Sequence, residues 1–292
     1  MTITLSVHKF HAVTNWLYPL IMLVAVTVGA LLLRVSQREL SLKASDKIAI
    51  GLGAFCGAMI GAKLPFAITD WDGLRSGTVW FSNGKTIVCG MVGAYFGVEL
   101  AKWISDVRIK TGDSFAVPAA VAVAIGRLSC FAAGCCFGTP TTLPWGVRFQ
   151  LADGGLFARH PTQIYESIFH LVIAWLMSAL RQQGIWRGQL VKFYIISYLA
   201  YRWLTEFIRP EPKMWLAFTG YQWFALAVIP VFAWLWWRDS TVQRDCRTVA
   251  LNRSCREKHP IHSERLRTIV LHFLQACRNL TSCGVSVYCT LT

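Results

Sequence analysis

The chain has 292 residues, 54% apolar and only 15% charged, with 13 Trp, 17 Phe and a formal net charge of +14. This composition excludes a disordered chain and an ordinary soluble domain, and it points to a polytopic membrane protein. The positive charge does not call for nucleic acid, because a cytoplasmic excess of Lys and Arg and attraction to anionic lipid account for it.

Seven apolar stretches come close to the about 20 residues that a spanning helix needs. In chain order they are Val13–Leu33, Ile48–Thr69, Thr86–Ser105, Phe115–Gly138, Ile164–Leu180, Gln189–Ile208 and Phe218–Trp237. Backbone groups in lipid must satisfy one another, so each is predicted to be a helix and the fold an all-α integral membrane bundle of about seven transmembrane helices. The first follows a short polar head with no small-residue cleavage site, so it is expected to stay as an anchor. Residues 1–238 form the predicted bundle. Residues 239–292 form a basic, Cys-containing tail without a sustained apolar face, expected to be weakly ordered.

The loops between stretches alternate in charge. The odd loops carry Arg34, Arg38, Lys43 and Lys47, then Lys102, Arg108 and Lys110, then Arg181 and Arg187, while each even loop has two basic residues. The tail after Trp237 adds nine Lys or Arg against four Asp or Glu. The positive-inside rule then places the N-terminus outside and the C-terminus in the cytoplasm. Five of the ten cysteines (246, 255, 277, 283 and 289) lie in the tail, where a cytoplasmic position keeps them reduced.

Several polar residues stand out against this apolar background. Arg127, in Gly126-Arg127-Leu128-Ser129-Cys130-Phe131, falls midway along the fourth stretch. A guanidinium keeps its proton there, and lipid exposure costs about 2.5 kcal/mol or more, so it needs an anionic partner or a polar cavity. The Gly134-Cys135-Cys136-Phe137-Gly138 run follows. Its cysteines and Cys130 read first as small apolar packing residues with no His close in sequence, and the tail cysteines fit no zinc spacing, so no metal or cofactor is expected. Arg159-His160-Pro161-Thr162-Gln163-Ile164-Tyr165-Glu166 sits at the mouth of the fifth stretch. Helix capping explains Pro161 and Thr162 but not Tyr165 and Glu166 entering an apolar segment. In Tyr198-x-x-Tyr201-Arg202-x-x-x-Glu206-x-x-Arg209, the i, i+4 spacing puts Arg202 and Glu206 on one helix face. Two buried arginines suggest an intramembrane site for an anion, and a lipid phosphate is the obvious one. Gly90-x-x-Gly93-x-x-x-Gly97 reads as a helix-packing motif. Lys63-x-Pro65 and Tyr18-Pro19 are weaker signals.

Together, the Gly126-Arg127…Gly134 segment, the Arg159-to-Glu166 run, the Tyr198…Arg202…Glu206…Arg209 helix and Gln222 resemble the prolipoprotein diacylglyceryl transferases of bacterial inner membranes, over roughly residues 13–237. The resemblance implies a multi-pass inner-membrane transferase. It would move the diacylglyceryl group of phosphatidylglycerol, or another anionic phospholipid, to the lipobox cysteine thiol of a prolipoprotein, leaving a thioether and glycerol phosphate. It also implies roles: Arg127 holds the lipid phosphate, and Arg202, supported by Glu206, stabilises charge on the departing phosphate. Tyr18, Tyr198 and His160 line the site, and Tyr165, Glu166 and Arg209 join the substrate contacts.

The chain departs from the family pattern where that pattern carries polar groups. The family's His-Gly-Gly segment reads Val88-Cys89-Gly90, its Asn is Cys130, its acidic residue after the next Gly is Cys135, and the loop from Gly138 to Arg159 is short. Val88 has no base to offer, and His160 is the nearest replacement by motif. Two alternatives stay open on these residues: a divergent non-catalytic lipid-binding membrane protein, or a transferase with another acceptor. A thiol-redox protein built on Cys135-Cys136 is a third reading, although redox pairs are usually spaced Cys-x-x-Cys.

Overall fold

The computed structural model describes residues 10–38, 40–81, 86–150 and 156–258. The described chain is helical apart from one short hairpin. In order it forms α1 (Phe10–Ser36), α2 (Ala44–Thr69), the short α3 (Trp71–Ser76) and α4 (Thr78–Phe81), α5 (Ile87–Ile104) and α6 (Gly112–Ala132). The antiparallel strands β1 (Val147–Gln150) and β2 (Leu156–Arg159) follow, with Val147 opposite Arg159. Then come α7 (Thr162–Gln182), α8 (Leu190–Thr205) and α9 (Gly220–Lys258).

Five of these helices are long and apolar enough to cross a membrane: Trp16–Ser36 within α1, Ala44–Ile68 within α2, α5, α6 and α7. The chain is therefore an all-α, multi-pass membrane protein. The sixth and seventh predicted stretches are helical as well. At about 1.5 Å per residue, the 16 residues of α8 reach about 24 Å, short of the about 30 Å hydrocarbon layer, and a 3-10 turn at Glu206–Ile208 prolongs it. Helix α9 runs past the expected boundary at residue 238 as far as Lys258. The rest of the tail, with Cys277, Cys283 and Cys289, lies outside the described residues.

The fourth stretch needs a correction. Its helix ends at Ala132 rather than Gly138, because Gly134 (φ 64°) takes the left-handed conformation that an L side chain resists. The Gly134 N–H donates to Phe131 O (3.1 Å) and the Cys135 N–H to Cys130 O (3.1 Å), a Schellman closure of the last turn. Arg127 thus sits near the helix end, not midway.

The chain divides into two compact units. The first comprises residues 1–41 and 111–230, and within it α1 and α7 pack on α6, while α8 packs on α6 and α7. Asp113, in the first turn of α6, accepts hydrogen bonds from the Gly188 N–H (2.5 Å) and the Leu190 N–H (2.9 Å), fixing where α8 starts. At the far end of α7, Arg181 donates to Ser36 Oγ at the end of α1.

The second unit comprises residues 42–110 and 231–292. Its central feature is the seam between α2 and α5, where the small-residue motif read from the sequence does pack helix on helix. Gly57 and Gly93 face each other so closely that a Cβ on Gly93 would lie 2.2 Å from Gly57 O and 2.9 Å from Gly61 Cα. Lipid tails give helices no hydrophobic reason to associate, so close backbone approach supplies the attraction. Near this seam, the buried Lys63 ammonium donates to Val79 O (2.9 Å).

Gly93→Val is expected to force the seam open. The cost should be at least the about 1–3 kcal/mol of ordinary overpacking, because the obstacle is backbone and cannot rotate away. Chemical unfolding in lipid-detergent micelles measures it, and an unchanged midpoint would show that α2 and α5 separate freely.

Candidate functional site

Three helices of the first unit bring the polar motifs together. Glu166 lies in the second turn of α7 with 1% of its surface exposed. A carboxylate cannot stay charged in such a place without partners, and Glu166 has three. Its Oε2 accepts from Arg127 Nη2 on α6 at 2.5 Å and from Arg209 Nη2 at 2.8 Å. Its Oε1 accepts from the Tyr198 hydroxyl on α8. One carboxylate therefore ties together residues from all three sequence motifs.

Backbone chemistry delivers each group. Ser167 Oγ donates to Ala124 O (2.9 Å), so α7 is pinned to α6 half a turn from the ion pair. Arg209 precedes Pro210, and a pre-proline residue is driven from helical to extended backbone. Arg209 accordingly has φ −109° and ψ 146°, which ends the 3-10 turn and lets its side chain turn back to Glu166.

A second pair lies beside the first. Arg202 Nη2 is 3.0 Å from Glu206 Oε2, the i, i+4 pair predicted from sequence. Thr219 Oγ1 donates to Glu206 Oε1 (2.9 Å), and Gln222 Oε1 accepts from the Thr219 N–H (2.9 Å). The Arg202 guanidinium also stands 4.6 Å over the Tyr221 ring, a cation–π contact. The charge of Arg202 acts on both Glu166 and Arg209, so the two pairs form one electrostatic cluster. Burial, and then the like charge of Arg202, push the Arg209 guanidinium below its ordinary range, with Glu166 opposing.

In direct ion pairs, Arg127, Arg202 and Arg209 face only Glu166 and Glu206, while Glu211 acts on Glu206 from farther off. Three guanidinium nitrogens, Arg127 Nε, Arg202 Nη1 and Arg209 Nε, are buried without a hydrogen-bond acceptor. Buried polar atoms of this kind are rare without a reason.

Other predicted residues lie elsewhere. His160 Nδ1 and the Tyr165 hydroxyl are 3.4 Å apart, and the hydroxyl also accepts from Trp145 Nε1 (2.9 Å). This trio sits at the start of α7, apart from the contacts of Glu166. Tyr18 on α1 is 41% exposed and falls within electrostatic reach of Cys130, Cys135 and Cys136. Pro161 is the residue before the helix, and Thr162 does not cap it; its hydroxyl donates to Cys136 O (2.7 Å). Arg159 Nη1 donates to Gly138 O (3.1 Å), with the guanidinium 4.9 Å over the Phe137 ring.

Sequence reasoning passed over His170, Tyr194 and Thr219. His170 is fully buried one turn beyond Glu166, with Nδ1 3.0 Å from the Tyr194 hydroxyl and its ring 4.6 Å from the Tyr198 ring. The i, i+4 step from Glu166 to His170 was the available signal. Thr219 had none, since only the fold carries it to Glu206.

An all-α, multi-pass membrane protein with a buried cluster of arginine–glutamate ion pairs is the class that these features define. The family model described as "Prolipoprotein diacylglyceryl transferase" matches residues 6–238, and the chain belongs to that family. The phosphatidylglycerol–prolipoprotein diacylglyceryl transferase of Clostridium tetani is 32% identical over 170 residues, 54% of this chain and 66% of the relative. The second protein of that name in Clostridium perfringens is 29% identical over 163 residues, 53% and 63% of the two chains. That of Clostridioides difficile is 26% identical over 202 residues, 68% and 79%. The matches thus span just under two thirds of the first two relatives.

Glu166→Gln should leave Arg127 and Arg209 buried without a counter-charge, at a cost of about 3–5 kcal/mol. Removing Arg209 as well (Glu166→Gln with Arg209→Gln) should recover part of that loss, as expected for groups in direct contact. Thermal unfolding of Glu166→Gln, of Arg209→Gln alone and of the double variant checks both statements; a fully additive pair would contradict the shared carboxylate.

Proposed function

We propose that this chain transfers the diacylglyceryl group of phosphatidylglycerol, or of a similar anionic phospholipid, to the lipobox cysteine thiol of a prolipoprotein. The unpaired guanidinium nitrogens of Arg127, Arg202 and Arg209 carry this reading. A phosphodiester headgroup bears one negative charge, and unpaired guanidinium N–H groups are suited to its oxygens.

The chemistry follows from the charge balance. The acceptor thiolate attacks the glyceryl carbon that bears the phosphate, and a C–S bond forms as the C–O bond breaks. The electron pair stays on the phosphate oxygen, so a monoanionic diester becomes a dianionic monoester. The second charge exists only late in the reaction, and a fixed guanidinium that meets it lowers the barrier rather than merely tightening binding. Arg127 is assigned to the ground-state phosphate, and Arg202, held by Glu206, to the developing charge. Glu166 acts as a positioning residue: its oxygens are taken by Arg127, Arg209 and Tyr198. Tyr18, Tyr165 and Tyr198 complete the lining. His160 is assigned the acceptor proton, in the role that Val88 cannot fill.

We place the protein in a bacterial inner membrane with seven spans, the N-terminus outside and the C-terminus in the cytoplasm. The loop charges and the basic tail support this orientation. A phosphatase reporter fused after Lys258 should be silent and a cytoplasmic reporter active; the reverse would overturn it.

The test of function is reconstitution into phosphatidylglycerol vesicles with a lipobox peptide, scoring thioether peptide and glycerol phosphate together. Arg202→Lys keeps the charge but loses the planar fork, and kcat should fall on the order of 10²–10³-fold with KM little changed. Product from neither phosphatidylglycerol nor another anionic lipid would leave a lipid-binding protein in place of a transferase.

A further inference from the structure

The turn after α6 does more than end a helix. It gathers Cys130, Cys135 and Cys136 so that their three sulfur atoms all lie within 4.8 Å of one another. Sequence spacing gives no such cluster, because a helix would send Cys135 and Cys136 away from Cys130. The Schellman closure folds Cys135 back over Cys130, and Cys136 adopts φ 63°, a left-handed conformation that costs a non-glycine residue energy. Helix α7 holds it there, with Gln163 Nε2 donating to Cys135 O and Thr162 Oγ1 to Cys136 O. A strained backbone fixed from two sides, with three thiols converging, is a built arrangement.

We propose that these three thiols form a binding site for a zinc-class cation, a divalent d10 ion, with its fourth coordination position open. Metal–sulfur bonds of about 2.3 Å place the sulfurs of a three-thiolate site about 3.7–4.0 Å apart, so the thiols need to close by about 1 Å at most. Thiolate ligands select soft and borderline ions over magnesium or calcium. Charge favours the same ion: three thiols release three protons to solvent, and the resulting complex carries one negative charge. Arg127 Nη1 lies 3.9 Å from Cys130 Sγ, so a guanidinium stands beside the thiolates. Cys136 is exposed, which leaves the fourth position accessible.

An open position on such an ion takes a water or a soft anionic ligand. On the transferase reading, which this role rests on, the ligand is the acceptor thiol. Bound there its S–H would be acidified, so that His160 takes the proton more readily and the thiolate stands beside Arg127.

Cadmium is the probe for binding, using the full chain in phosphatidylglycerol vesicles. One equivalent should produce a sulfur-to-metal charge-transfer band, and X-ray absorption should count three sulfurs from this chain. Changing Cys130, Cys135 and Cys136 to Ser should weaken binding by at least about 100-fold, whereas changing the five tail cysteines to Ser should leave the band in place. Absence of the band, fewer than three sulfurs, or a band lost with the tail cysteines would overturn the site, whatever the activity proves to be. For the role, turnover should fall on chelation and return with zinc. Turnover indifferent to chelation would overturn the role. If no product forms in any metal state while cadmium still binds as described, the transferase reading has failed and the metal site stands.

Discussion

The carboxylate of Glu166 is the point on which the polar interior of the first unit depends. It is nearly inaccessible to solvent, yet it holds Arg127 from α6, Arg209 from beyond α8 and Tyr198 within α8. In a low-dielectric interior none of these charges is tolerable alone. Each is tolerable because the others are present. The positions of α6, α7 and α8 relative to one another are therefore tied to one set of hydrogen bonds, and the same bonds aim the guanidinium groups.

A third arginine, Arg202, is set beside the first two and is paired with Glu206, which Thr219 and Gln222 hold in place. The cluster is left with unpaired guanidinium N–H groups. On the proposed function, an anionic headgroup supplies the acceptors that the protein omits. The arginine interior and the glycine seam between α2 and α5 show two ways of holding helices together in a membrane: charge satisfied inside the protein, and backbone in direct contact.

The turn at Gly134 links fold to chemistry a second time. By ending α6 early it brings Arg127 close to the helix end, and by reversing the chain it collects three thiols beside that arginine. Where the family pattern has Asn and an acidic residue, this chain has Cys130 and Cys135.

The sequence by itself determined the helical membrane class, because apolar runs of spanning length leave the backbone no other solution, and it marked Arg127, Arg202 and Glu206 because charge in such runs needs a reason. The i, i+4 rule was enough to pair Arg202 with Glu206, since Glu206 directly follows the last turn of α8 and the period is local. The family resemblance was also legible, since its motifs are short and occur in order. What only the tertiary structure decided are the relations between distant segments. Nothing local says that Glu166 meets Arg127 and Arg209, that Thr219 reaches Glu206, or that His170 is buried against Tyr194. The end of α6 was misplaced because apolar composition continues to Gly138, while the helix stops where Gly134 turns left-handed. The convergence of the three cysteine sulfurs was illegible for the same reason: spacing along a chain carries no information about convergence until a turn of known geometry brings the side chains together.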